Sequence, residues 1–146
     1  MINSYVVDIA RVIQLAVAPV FLLVGIGALL SVLTGRLNRI IDRARVLENE
    51  MPAAADARKT EIQTEFPRLC QRARLISRAI MLATLAGIIV CVLVTALFVG
   101  DVFTVGLSQL IALLFVLAML SFGGAFVYFL REVLYATASI RIGPRQ

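Results

Sequence analysis

With 61% of its 146 residues hydrophobic and 16% charged, this chain lies outside the composition of soluble domains, roughly 45–50% apolar and about 25% charged. Its net charge of +5 comes without a single histidine, which removes the usual zinc sets and histidine-based acid–base catalysis. The charges are segregated: Val12–Gly35, Ala79–Gly100 and Val102–Leu130 carry none, and each run exceeds the about 20 apolar residues that cross a hydrocarbon core.

The N-terminus, Met-Ile-Asn-Ser-Tyr, is polar, and Asn3 or Ser4 offers a helix cap. Asp8 and Arg11 are three apart and can pair on one helical face, with Gln14 a turn deeper. The first run is too long for a signal peptide, and Asp8 stands where a cationic leader is expected. Pro19 predicts a tilt or kink inside it, compensated by neighbouring helices. Beyond the run, Leu30, Leu33, Leu37, Ile40, Ala44 and Leu47 continue in steps of three and four, a heptad seam leaving the bilayer. Met51–Asp56 breaks it, with Pro52 disfavouring helix before it and Asp56 available as a cap. Ile62, Phe66, Leu69, Ala73, Ile76 and Ile80 return the same seam, interrupted at Pro67, where a kink or restart is expected. Ile41 and Leu75 lie outside the seam and point to contacts between subunits.

Small residues stand four apart on the second run: Ala79, Ala83, Gly87, Cys91 and Thr95. Gly27, Ser31 and Gly35 do the same on the first. In lipid, small residues let helices approach closely, so Gly27, Ser31, Gly35, Ala83, Gly87 and Cys91 are the predicted packing positions, within or between chains. Cys70 and Cys91 are 21 residues apart on one helix, about 30 Å, beyond disulfide reach; they read as buried, reduced and structural. Gly100-Asp101 reads as a minimal turn into the third run, which Tyr128 and Tyr135 close as interfacial anchors. Gly143-Pro144 is a stop signal.

Ten of the fourteen basic residues lie between the first two runs, three follow the third, and one, Arg11, precedes the first. Lys and Arg concentrate on the cytoplasmic side, so the N-terminus is expected outside and both the hairpin and the C-terminus inside. The sequence thus predicts an all-α membrane protein: three transmembrane helices with a cytoplasmic antiparallel helical hairpin between the first and second. Residues 1–35 form the external N-terminus and first span, 36–78 the hairpin, and 79–146 the remaining spans with a short tail. The same topology accounts for the basic pI. The hairpin also holds six acids, so nucleic acid is not an expected partner, whereas anionic headgroups are.

The stretch from Ile13 through Ala16-Val17-Ala18-Pro19-Val20-Phe21-Leu22-Leu23 and the glycines Gly25 and Gly27 leads into Arg36-Leu37-Asn38-Arg39-Ile40-Ile41-Asp42-Arg43-Ala44-Arg45. These features resemble a bacterial family catalogued as domain of unknown function 2721, over nearly the whole chain. The resemblance implies a prokaryotic inner-membrane protein and carries no activity with it.

Function is read from what remains. No nucleophile has a base at helical spacing and no cofactor or metal set is present, so an enzyme is not expected. A ring of subunits lined by the first span would conduct ions: Asp8 and Gln14 outside, Val17 and Phe21 as a dewetting constriction. Arg36, Arg39 and Arg43 would line the inner vestibule or meet lipid phosphates. The bland alternative has Asp8 paired with Arg11, glutamines bonding between helices and arginines fixing topology. The sequence favours, by a narrow margin, a homo-oligomer that conducts ions; the alternative is a non-conducting scaffold or accessory subunit whose hairpin docks a cytoplasmic partner.

Overall fold

Backbone polar groups in lipid must be satisfied within the chain, and the uncharged runs achieve this as parts of very long helices. The computed structural model describes residues 2–102 and 107–138, with side chains for 13–100 and 107–137. Helix α1 spans Ile2–Glu50, a 3-10 turn spans Met51–Ala53, α2 spans Asp56–Val102, and α3 spans Ser108–Ala138. The fold is all-α, and its three helices are each long and apolar enough to cross a membrane.

Four expectations about boundaries change. Helix α1 starts at Ile2, upstream of Asn3 and Ser4, whose side chains, like those of Asp8 and Arg11, lie outside the described residues. Asp56 does not cap α2: the Lys59 amide donates to the Ala55 carbonyl at 3.0 Å, so Ala55 opens the helix and Asp56 sits in the first turn, where a negative charge favours the helix dipole. Gly100-Asp101 is not the turn, because α2 continues through Val102. Glycine costs a helix about 1 kcal/mol, less than unsatisfied backbone groups cost in an apolar medium. Pro67 neither ends nor restarts α2. The carbonyl it leaves without a donor belongs to Gln63, on an exposed stretch where water serves instead. Gly143-Pro144 lies outside the described residues.

The chain forms two compact units, each drawing on all three helices: Met1–Leu30 with Leu82–Gly123, and Ser31–Met81 with Gly124–Gln146. The first, here the apolar unit, is built on buried Ile26, Ala86, Val90 and Ala118, with Leu22, Leu23, Leu30, Ile89, Val94 and Phe122 packed around them. The Ser121 hydroxyl donates to the Leu82 carbonyl at 2.8 Å, a polar tie from α3 to α2.

The second, the charged unit, is centred on buried Leu33, Ile40 and Leu47 of α1 and Ile62, Leu69, Ile76 and Ala79 of α2. Arg43 pairs with Glu65 at 2.9 Å and Arg58 with Glu50 at 3.0 Å. This register requires the two segments to run antiparallel. Half of the predicted seam is therefore the core. Leu30, Leu37, Ala44, Ala73 and Ile80 are only half-buried and Phe66 is exposed, because two crossing helices cover one line of side chains fully and its flank from one side only. Outside the seam, Ile41 is exposed and Leu75 half-buried.

The small-residue file of α2 packs within the chain only in part. Each step of four residues overshoots a full turn by about 40°, so Ala79 and Ala83 are buried, Gly87 is half-buried, and Cys91 and Thr95 have turned outward. The buried line is instead Ala79, Ala83, Ala86, Val90 and Leu93, whose mean step of 3.5 stays on one side. The Cβ position at Gly87 is 3.7 Å from Ile26 Cγ2. Gly27, Ser31 and Gly35 are exposed on the chain, so they do not pack its own helices. Cys70 is half-buried and Cys91 exposed; neither is the buried thiol expected, since both fall off that line.

Candidate functional site

Seven-residue spacing sets the site. On α3, Ala118, Ala125 and Glu132 recur at intervals of seven, and all three are fully buried. Two small residues are thus followed, at the next equivalent position, by a carboxylate. Glu132 stands two residues past the third uncharged run. On α1, Arg36 falls between buried Leu33 and Ile40; on α2, Arg72 falls between buried Leu69 and Ile76. Helical geometry puts residues three and four apart on one face, so both arginines start from the buried side of their helices.

The three meet. Arg36 Nη1 donates to Glu132 Oε2 at 2.8 Å. Arg72 donates to Oε1 through Nε at 3.0 Å and Nη2 at 2.8 Å. The Glu132 side chain is 0% exposed, against 39% for Arg36 and 28% for Arg72. Removing a carboxylate from water costs several kcal/mol, and here it is offset by three charge-assisted hydrogen bonds. The Arg36 guanidinium also lies 5.1 Å from the centre of the Phe129 ring, a cation–π distance. One acid therefore ties α1, α2 and α3 together within the charged unit. Nearby, the Tyr135 hydroxyl donates to Gln71 Oε1 at 2.8 Å, a second tie between α3 and α2.

Beside the clamp lies a groove of about 430 Å³ lined by Arg36, Arg39, Arg43, Arg72 and Glu65 over Ile40, Leu69 and Ala136. Arg36, Arg39 and Arg43 are spaced three and four apart and share one side of α1. Arg43 donates to both Glu65 oxygens, at 2.9 and 3.1 Å. That hydrogen bond holds the Glu65 carboxyl below the ordinary value of 4.5, against partial burial that pushes it up, and raises the Arg43 guanidinium. Arg39 is exposed and has no ion pair among the described residues. Nearer the turn, hydrogen bonds to Glu61 and Glu50 raise the Arg58 guanidinium.

The predicted pore-lining residues occupy the apolar unit. Gln14, Val17 and Phe21 are exposed, Phe21 by 72%. Val17 and Phe21 line an apolar groove of about 370 Å³ with Ile13, Ala16, Val20, Val94 and Phe98. The Asp8 side chain lies outside the described residues. Tyr128 is half-buried and Gln109 exposed.

Sequence reasoning selected Arg36, Arg39 and Arg43 but passed over Glu132 and counted Arg72 only as one more topology charge. The signal was present: Glu132 is the one acid within reach of the third run's inner end, in register with Ala118 and Ala125.

A family model described as "Protein of unknown function (DUF2721)" matches residues 16–142. No curated protein and no solved structure matches the chain.

Proposed function

From a chain that belongs to the DUF2721 family, described as of unknown function, we propose a non-catalytic scaffold of the bacterial inner membrane, with segment 36–78 as a rigid cytoplasmic arm that docks a protein partner. The clamp at Glu132 is the observation that carries this reading. It joins all three helices of the charged unit through one desolvated acid, which favours a single fixed arrangement over one that opens and closes. Two of the three arginines expected in an inner vestibule are held in place by acids of the same chain, Arg36 by Glu132 and Arg43 by Glu65. The exposed arginines Arg45, Arg68 and Arg74 have no ion pair among the described residues, leaving charge on the arm for a partner. The positive-inside rule supports an external N-terminus.

Conduction by a ring of copies lined by α1 is the second reading, favoured by the outward Gln14, Val17 and Phe21. One pair of measurements separates them. Photo-cross-linkers at Arg45 and Arg74 of the full chain in intact cells should give the same discrete heterologous adduct, and liposomes holding the protein should pass no ions under salt gradients or tension. Flux that changes with Phe21→Ala or Asp8→Asn would replace docking with conduction.

A further inference from the structure

We infer that the groove between Arg36, Arg39, Arg43 and Arg72 is a binding site for a phosphate-bearing anion. Its charge is unbalanced: four guanidiniums face two carboxylates, Glu65 and Glu132. Glu65 is satisfied by both donors of Arg43. Glu132 takes one donor nitrogen of Arg36 and two of Arg72. Among the described residues, Arg36 therefore keeps Nε and Nη2, Arg72 keeps Nη1, and Arg39 keeps its whole fork. Each acid also fixes the arginines it binds, so those arginines lose little freedom when an anion arrives. A planar guanidinium fork matches the oxygens of a phosphate group. The floor of Ile40, Leu69 and Ala136 suits the carbon side of a phosphate ester. Arg36 immediately follows the first uncharged run, which puts the groove within reach of lipid headgroups as well as of dissolved phosphates.

The two sources are separated by two arms on the full chain. In the first, the protein in phosphatidylcholine nanodiscs is titrated with inorganic phosphate at constant ionic strength and followed by phosphorus NMR. In the second, nanodiscs of equal phosphatidylcholine and phosphatidylglycerol are analysed by native mass spectrometry for lipid kept on the protein. Saturable binding near one phosphate per chain identifies a soluble ligand. Enrichment of phosphatidylglycerol alone identifies a headgroup. Arg39→Gln, which breaks no ion pair among the described residues, should weaken whichever binding is seen about tenfold, the loss of one charged hydrogen-bonding group. Arg45→Gln, off the groove, should leave it unchanged. The inference is overturned if neither arm shows binding, or if Arg39→Gln weakens it no more than Arg45→Gln does.

Discussion

In the apolar unit, α3 meets its neighbours through Ala118 and the Ser121 hydroxyl; fourteen residues further along the same side, in the charged unit, it meets them through Glu132. Burying apolar surface drives nothing between helices already surrounded by lipid, so close approach at small residues and single hydrogen bonds do that work. The charged unit has a buried aliphatic line, yet it places an acid at the next equivalent position. A desolvated acid tolerates only arrangements that bring both arginines to it, which turns a permissive contact into a selective one.

The contrast is broken most directly at Glu132. Replacement by Ala leaves two part-buried guanidiniums facing each other and should cost about 3–5 kcal/mol, read as a lower unfolding midpoint in detergent. Substituting Arg36, Arg72 and Glu132 together with Met, Met and Leu should restore most of that loss, since apolar replacements of buried ionic groups are often neutral or better. A triple variant no more stable than Glu132→Ala would show that the clamp is more than an ion pair. In the apolar unit, Ala118→Leu should overpack the contact with Ile26, Ala86 and Val90 and cost about 1–3 kcal/mol, with the charged unit's Arg43–Glu65 pair intact by NMR. Ser121→Ala should cost only about 0.6 kcal/mol, the typical worth of such a bond in membranes. The smallest effect is a titration. Glu65 is held below 4.5 by Arg43, so the pair's contribution is complete above that pH and is lost as pH falls through the lowered value. Arg43→Gln should move the Glu65 midpoint upward in a carboxyl NMR titration; an unmoved midpoint would reject the pairing in solution.

How far the sequence reached differs between the two units for a physical reason. Long uncharged runs leave little besides helix, so three helices of membrane-spanning length were readable from charge alone, and the break near Met51–Ala53 from Pro52 and the interrupted seam. Leu33, Ile40, Leu47, Ile62, Leu69 and Ile76 were readable from their spacing. The packing face of α2 was not, because the four-residue file and the buried line share Ala79 and Ala83 and part only as rotation accumulates towards Cys91. Pro67 suggested a break because propensity treats every lost hydrogen bond as equal, whereas an exposed carbonyl finds water. The role of Glu132 was not legible, because the pairing that defines it spans 60 and 96 residues.

That separation has a consequence for biogenesis. Arg72 leaves the ribosome 60 residues ahead of Glu132, an interval of roughly 3–12 s at 5–20 residues per second. During it, Arg36 and Arg72 are both present without their shared counter-ion. Synthesis of α3 delivers the neutralising group, so a product truncated before Glu132 leaves both guanidiniums without the acid that pairs them.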